Sequence, residues 1–200
     1  MPGTAPRPLR ADAQRNRDLL LAAAVRAFTP EAADGEPRAE VTLDAIAKDA
    51  GVGIGTLYRH FPTREALVDA AYRKELTGLC DAAPELLRTA PPDLATRTWM
   101  GLFVDYMATK RGMSDALRAV VASGGNPFAH SRDLLLRAVS TLLAAGAEAG
   151  TLRADVDAND VLTGLSGVSM ATGRPEQREQ AGRLLDLLMD GLRHRAPGAG

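Results

Sequence analysis

The sequence has one cysteine, few aromatic residues and no long run of apolar residues. A single cysteine, Cys80, excludes a disulfide framework and any zinc site built from several cysteines. The apolar runs fall well short of the roughly 18 residues that a membrane span needs, so no membrane partner is expected. Residues 1–10 contain three prolines and no apolar stretch, which argues against a secretory signal. We therefore expect a cytoplasmic protein.

The sequence also lacks an excess of either positive or negative charge. The 200 residues carry 24 Lys and Arg against 25 Asp and Glu, and 46% of the residues are hydrophobic, which is typical of a globular protein rather than a disordered one. Aromatic residues make up only 4%, whereas the chain has 36 alanines. Extended structure favours aromatic and β-branched residues, so this composition favours helices.

Apolar residues recur with a helical period of 3.6 residues along the whole chain, and no segment alternates as a strand does. The pattern predicts an all-α protein of about nine helices, the first over 11–28 and the last over 176–195. Residues 29–40 are predicted to be a loop, and residues 1–10 and 196–200 disordered ends. We expect two domains, over residues 11–80 and 81–195.

Residues 42–61 read TLDAIAKDAGVGIGTLYRHF and predict two short helices separated by a tight turn. Thr42 is a good N-cap for the first helix, and Gly51 suits the left-handed conformation that ends it. The apolar positions predicted to lock the pair together are Ile46, Ala47, Val52, Leu57 and Phe61. Such a pair is a helix-turn-helix, whose second helix enters the major groove of DNA in many regulators.

The second helix of the motif carries an outward face whose residue types suit DNA. We expect this face to consist of Gly55, Thr56, Arg59 and His60, with Tyr58 at its edge. An arginine can bind guanine through two hydrogen bonds, and threonine can contact a phosphate or a thymine methyl group. Tyr58 and His60 are placed for phosphate contacts, and Arg64 lies at the start of the next helix.

The net charge of residues 1–80 does not indicate a DNA-binding surface, but the distribution of charge within them does. Residues 1–80 contain 11 basic and 11 acidic side chains, and the sequence pI is near 6.3. Residues 1–26, however, carry five Arg against two Asp, and residues 51–64 carry two Arg and no acid. The acids concentrate in residues 27–50. The surface around the motif is therefore predicted to be locally basic.

The stretch from Gly51 to Phe61, GVGIGTLYRHF, resembles the DNA-binding signature of the TetR family of bacterial transcriptional regulators. Residues 43–47 and 64–67 are also similar, and the resemblance extends over about residues 11–80. It implies a homodimer, a ligand pocket in the C-terminal helices and DNA contacts from Thr42, Thr56, Tyr58 and His60. Together the residues and the resemblance predict an inverted-repeat operator on double-stranded DNA. The candidate DNA-binding residues are Thr42, Ile54, Gly55, Thr56, Tyr58, Arg59, His60 and Arg64.

Sites of other classes find less support. The glycines at 51, 53 and 55 lack the preceding strand and the final spacing of a dinucleotide loop, and no lysine follows as in a phosphate loop. The three histidines are far apart, with no carboxylate at metal-binding spacing. No nucleophile or acid–base pair is evident. We therefore expect no catalytic residue, no metal and no cofactor, and a protein that is not an enzyme.

The C-terminal helices carry two further sets of candidate residues. Large aromatic and methionine side chains form either a ligand pocket or part of the core: Trp99, Phe103, Tyr106, Met107, Met113, Phe128 and Met170. A leucine-rich set on the last two helices forms either a dimer interface or the core, and the resemblance favours the interface: Val161, Leu165, Leu184, Leu185, Leu188 and Leu192.

The predicted function is a DNA-binding transcriptional regulator, most simply a repressor released from its operator by a small apolar effector. The alternative is an all-α protein that binds a small molecule and has no role on DNA. The helix-turn-helix discriminates between them, because a protein that only binds ligands has no need for a basic outward face of small residues.

Overall fold

The structure, a computed structural model, describes residues 7–28 and 41–193. Within these residues the chain forms nine α-helices and no β-strand, which confirms the predicted all-α class. No helix in these two ranges is both long and apolar enough to cross a bilayer. The helices are α1 (Arg7–Phe28), α2 (Leu43–Asp49), α3 (Ile54–His60), α4 (Arg64–Thr89), α5 (Pro92–Gly112), α6 (Ser114–Ala122), α7 (Ser131–Glu148), α8 (Ala158–Ala171) and α9 (Arg178–Leu192).

The ends of the first and last helices differ from the prediction. Helix α1 begins at Arg7, within the predicted disordered arm, because a proline such as Pro8 is tolerated in the first turn of a helix. A short 3₁₀ turn, Pro175–Gln177, precedes α9, which ends at Leu192 where Arg193 forms a β-bridge with Leu152. The predicted loop at 29–40 and the tail at 196–200 lie outside the described residues.

The chain divides into two compact units. The first unit contains α1, α2 and α3, the beginning of α4, the end of α5 and α6. Its core includes fully buried Leu20, Ile46, Leu57 and Leu67, one from each of α1 to α4. This unit therefore packs the two helices of the predicted motif against α1 and the start of α4.

The second unit contains the rest of α4, most of α5, and α7, α8 and α9. Helix α7 contacts α8, and α8 contacts α9. The core includes Trp99, Leu142, Leu165 and Leu185 from four of these helices. This unit is a helical bundle whose packing is almost entirely apolar.

Helix α4 passes through Pro84 and ends only at Thr89, so the predicted domain boundary at 80/81 falls inside a helix. Proline in a helix removes one backbone hydrogen bond, at a cost of about 3 kcal/mol. Burial of Leu76, Leu79 and Ala83 on the same helix offsets that cost, because each side chain packs into the core.

Candidate nucleic-acid interface

The first helix of the motif begins as its N-cap residue dictates. The hydroxyl oxygen of Thr42 accepts a hydrogen bond from the backbone N–H of Ala45 at 3.2 Å, which satisfies one of the free donors at the start of α2. Two residues on the inner face of α2, Ile46 and Ala47, are buried. The predicted cap and the predicted inner face are both confirmed, and Thr42 itself remains exposed.

The turn between α2 and α3 depends on a left-handed residue. Gly51 has a φ of 64°, a conformation that other residues adopt only with strain. The backbone N–H of Val52 then donates to the carbonyl of Ala47 at 2.9 Å, and the Val52 side chain is buried. This closed turn sets the angle at which α3 leaves α2.

Helix α3 buries one side and exposes the other, as the sequence predicts. Leu57 and the following Phe61 are 0% and 2% exposed and hold α3 in the core of the first unit. On the opposite side Gly55 and Arg59 are exposed and Tyr58 is half-exposed. The other predicted contact residues on α3 lie at the edges of this face. Ile54 is 36% exposed, and Thr56 and His60 are half-buried.

The exposed face of α3 also lets another molecule approach closely. A Cβ atom placed on Gly55 would meet no atom within 4 Å, so the folded protein itself does not require a glycine there. Because glycine lacks a side chain, the backbone at this position is open to direct contact. This arrangement is what a helix lying in the major groove needs at its amino-terminal end.

Among the arginines of this unit whose side chains the structure describes, Arg59 differs in having a free guanidinium. Within the described ranges it makes no hydrogen bond or ion pair. Arg26 donates to Asp49 Oδ2 at 2.7 Å, and Arg15 lies 3.8 Å from Asp12. These pairs reduce the basic character predicted for residues 1–26, so Arg59 is the main cation that α3 offers to an anionic partner.

Two further arginines contact aromatic rings inside the unit. Arg17 lies over the ring of Phe61, with its guanidinium carbon 5.2 Å from the ring centroid. Arg64 lies over Phe28 at 4.9 Å and donates a hydrogen bond from Nη1 to the carbonyl of Val41. The predicted DNA contact of Arg64 stays a prediction, but its guanidinium already has partners within the protein.

Comparisons with known proteins agree with this geometry. Residues 20–71 match the model of bacterial regulatory proteins of the tetR family, and residues 91–194 match the C-terminal domain of SbtR-like transcriptional regulators. The chain belongs to the TetR family. It is therefore a TetR-family transcriptional regulator with a helix-turn-helix DNA-binding domain.

Solved structures of TetR-family regulators are similar over nearly the whole chain. One from Streptomyces coelicolor has 52% sequence identity and a TM-score of 0.82, covering 90% of this chain and 99% of the other. One from Mycobacterium vanbaalenii has 36% identity and a TM-score of 0.72, covering 93% and 99%. An HTH-type transcriptional regulator from Staphylococcus aureus is 32% identical over 68 residues, so the chain spans about a third (34%) of the length of the curated relatives it matches.

The C-terminal unit of this TetR-family chain brings together three of the predicted ligand-binding residues. Trp99, Phe103 and Tyr106 are buried on α5, and their rings lie 5.9 Å and 6.3 Å apart in sequence order. The indole N–H of Trp99 donates to the carbonyl of Leu79 at 2.8 Å. These contacts hold the indole in one orientation, as expected of a core residue.

The other predicted ligand-binding residues have different surroundings. Met107 is half-buried. Met113 is buried but belongs to the first unit. Phe128 and Met170 are 41% and 78% exposed, so they lie at the surface of the protomer. The ligand pocket stays a prediction, centred on the aromatic residues of α5.

Four of the six predicted dimer residues are buried in the core of the protomer. Leu165 is fully buried, and Leu185 and Leu192 are nearly so, as is Val161. Leu184 and Leu188 are half-buried, and the neighbouring Leu187, which sequence reasoning missed, is 67% exposed. The helical period places 184, 187 and 188 beside the inner stripe of α9, and that spacing is the signal that identifies Leu187.

The described residues offer neither a metal-binding cluster nor a thiol with a lowered pKa. In residues 7–28 and 41–193, no three His, Cys, Asp or Glu side chains lie close enough to hold a metal ion. Burial raises the pKa of Cys80 to about 11, with Asp81 adding to the shift and Arg137 opposing it. A thiol with this pKa is almost entirely protonated at neutral pH, unlike the thiolate of a reactive cysteine.

Proposed function

We propose that the chain is a repressor that binds an inverted-repeat operator as a homodimer and leaves it when a small apolar ligand binds. The observation that carries the proposal is the exposed face of α3, on which the Arg59 guanidinium has no partner among residues 7–28 and 41–193 and lies one turn from the open backbone of Gly55. A bacterial regulator of this kind acts in the cytoplasm. We assign DNA binding to residues within 11–80, and ligand binding and dimerisation to residues within 81–195, of which the end of α5 and α6 pack in the first unit.

Each exposed residue of the motif has a role in this proposal. Arg59 reads guanine through two hydrogen bonds, which is the commonest specific contact in the major groove. Tyr58 and His60 bind phosphates, and the hydroxyl groups of Thr42 and Thr56 lie where a backbone or base contact is possible. The side chain of Ile54 supplies an apolar contact to a thymine methyl group or a sugar.

The dimer interface is proposed to use the outer face of α9 together with α8. A groove of about 440 Å³ on α9 is lined by apolar and charged residues, as a partner helix requires: Gln180, Arg183, Leu184, Asp186, Leu187 and Asp190. A twofold dimer presents two copies of α3, so half-site centres should be about 34–36 Å apart, one turn of DNA, or a multiple of that.

The direct test is to recover genomic DNA fragments that the purified protein retains, and then to measure binding to the most enriched duplex. Arg59→Ala should cost about 1–3 kcal/mol of binding free energy and relax the preference at one base position. Arg88→Ala is the matched control, because Arg88 is an exposed arginine at the end of α4, far along the chain from the motif.

Two outcomes separate the proposal from its alternatives. Tyr58→Phe and His60→Ala should weaken all duplexes alike, because phosphate contacts carry no sequence information. If the triple variant of Tyr58, Arg59 and His60 folds normally and its binding curve does not change, α3 is not the DNA-binding element.

A further inference from the structure

The guanidinium of Arg64 connects three segments of the DNA-binding unit. It lies 4.9 Å from the ring centroid of Phe28, the last residue of α1. Its Nη1 donates to the carbonyl of Val41, the residue before the N-cap Thr42. Arg64 is itself the first residue of α4 and is only partly exposed. One side chain therefore joins the end of α1, the entry to α2 and the start of α4.

These contacts use both recognition properties of an arginine. The guanidinium lies over an aromatic ring, and its Nη1 donates to a backbone carbonyl. A lysine at the same position has no planar group to stack and no fork of fixed donors. The arrangement therefore depends on arginine rather than on positive charge alone.

The carbonyl of Val41 lies at a sensitive point of the motif. Thr42 must adopt an extended backbone to cap α2, with φ of −90° and ψ of 152°. A hydrogen bond to the preceding carbonyl restrains this backbone and hence the direction of α2. Because the turn at Gly51 couples α2 to α3, the restraint extends to the orientation of α3.

We propose that Arg64 is a positioning residue for operator recognition and does not contact a DNA phosphate. It fixes α2, and through α2 the helix α3, relative to α1 and α4. The proposal rests on the function proposed above. It assigns to Arg64 a different role from the DNA contact that the sequence predicts.

Salt dependence distinguishes the two roles. A residue that neutralises a phosphate contributes about 0.9 to the slope of log Kobs against log salt concentration. A positioning residue contributes nothing to that slope, because it releases no counterion. It also affects the specific duplex more than random DNA, since only specific binding needs the correct orientation of α3.

The experiment compares Arg64→Lys, Arg64→Gln and Phe28→Leu on two probes. The probes are the most enriched duplex from the genomic selection and a random-sequence duplex of equal length. All three variants should bind the enriched duplex roughly 5- to 30-fold more weakly, as expected for loss of a stacked and hydrogen-bonded guanidinium. The salt slope and the binding to random DNA should not change.

Two controls address charge and stability. Arg88→Gln removes an exposed positive charge near the end of α4, where Arg88 pairs with Glu85 and contacts neither Phe28 nor Val41. Val68→Ala removes buried methyl groups from α4 and lowers stability while keeping Arg64, Phe28 and Val41 themselves. Operator affinity should stay within about twofold of the parent in both, since neither variant touches the contacts of Arg64.

The proposal is overturned if Arg64→Gln lowers the salt slope by about 0.9 while Arg64→Lys restores both slope and affinity. It is also overturned if Val68→Ala, at equal loss of thermal stability, weakens operator binding as much as Phe28→Leu does. If the parent protein enriches no DNA, the proposed function fails instead. The contact between Arg64 and Phe28 is then tested by thermal unfolding, where additive effects of Arg64→Lys and Phe28→Leu contradict it.

Discussion

Arginine side chains in the first unit differ in function according to what their guanidinium groups contact. Arg26 pairs with Asp49, and Arg17 and Arg64 lie over aromatic rings. Arg59 alone of these four is left without a partner in residues 7–28 and 41–193. A count of basic residues along the sequence therefore overstates the charge available to DNA, because internal partners claim part of it.

The thiol of Cys80 gives a prediction for a single residue. Burial raises its pKa to about 11, so only about one thousandth of it is thiolate at pH 8. The lower thiolate fraction outweighs the greater nucleophilicity of a high-pKa thiolate, and alkylation by iodoacetamide at pH 8 should be about tenfold slower than for an unperturbed thiol.

The alkylation rate of Cys80 should rise roughly tenfold per pH unit between pH 7 and 10, because the thiolate fraction does so below the pKa. Mass spectrometry at timed intervals measures the rate, and the same protein unfolded in urea is the control. A folded protein that reacts as fast as the unfolded control would show that Cys80 is neither shielded nor shifted in pKa.

Among helices, Gly146 on α7 gives a prediction for packing. A Cβ atom at this position would lie 2.3 Å from Leu152 Cδ1 and 2.8 Å from its Cβ, so the loop after α7 packs directly on the glycine. Gly146→Ala should therefore destabilise the protein by about 1–3 kcal/mol, although alanine favours helix. Urea unfolding at a fixed protomer concentration measures the change.

The matched control is Gly78→Ala on α4, where a Cβ atom would meet nothing within 4 Å. Here only helix propensity acts, and the variant should be more stable by up to about 1 kcal/mol. Equal effects at the two positions would mean that Leu152 moves aside at no cost.

Local residues made the motif predictable, whereas α9 depends on its neighbours. The cap at Thr42 and the turn at Gly51 act within a few residues, so both can be read from the sequence. On α9 the leucines form a broad apolar arc, and packing against α8 decides which of them are buried. Leu185 faces the core while Leu187 is exposed. The helical period groups the leucines of α9 into neighbouring stripes, but only the contact with α8 decides which stripe is buried.

The same limit applies to the predicted pocket. Trp99, Phe103 and Tyr106 share one helical face, so the sequence already places them together. Phe128 and Met170 lie on separate segments, and their positions depend on tertiary contacts rather than on helical period. Both prove to be exposed.

At the scale of the whole molecule, the exposed leucine of α9 tests the proposed dimer. Leu187→Glu places a charge in the proposed interface, where burial without a partner is costly. Sedimentation should show monomers, and affinity for the enriched duplex should fall because each monomer binds one half-site. Leu94→Glu is the control, since Leu94 is 52% exposed on α5 and should leave the dimer intact. A dimer that persists in Leu187→Glu uses another surface.

In the proposed repressor, ligand binding and operator binding affect each other's affinity. If an apolar ligand releases the operator by binding near the α5 aromatic residues, operator DNA must weaken ligand binding by the same factor that the ligand weakens operator binding, commonly about 5- to 150-fold. Trp99 is the sole tryptophan, buried beside Phe103, so its fluorescence reports ligand binding in that region.

Titration of apolar compounds against Trp99 fluorescence, with and without the enriched duplex, measures one of these factors, and operator binding with and without the compound measures the other. We expect the two factors to agree within error for a true effector, because both describe one equilibrium between the same states. Met170→Ala should leave both factors unchanged, since Met170 is 78% exposed whereas Trp99 and Phe103 are buried. A compound that quenches Trp99 fluorescence with equal affinity in the presence and absence of DNA binds the protein without acting on operator binding. If every compound that quenches Trp99 behaves in this way, the aromatic residues of α5 belong to the core and not to an effector site.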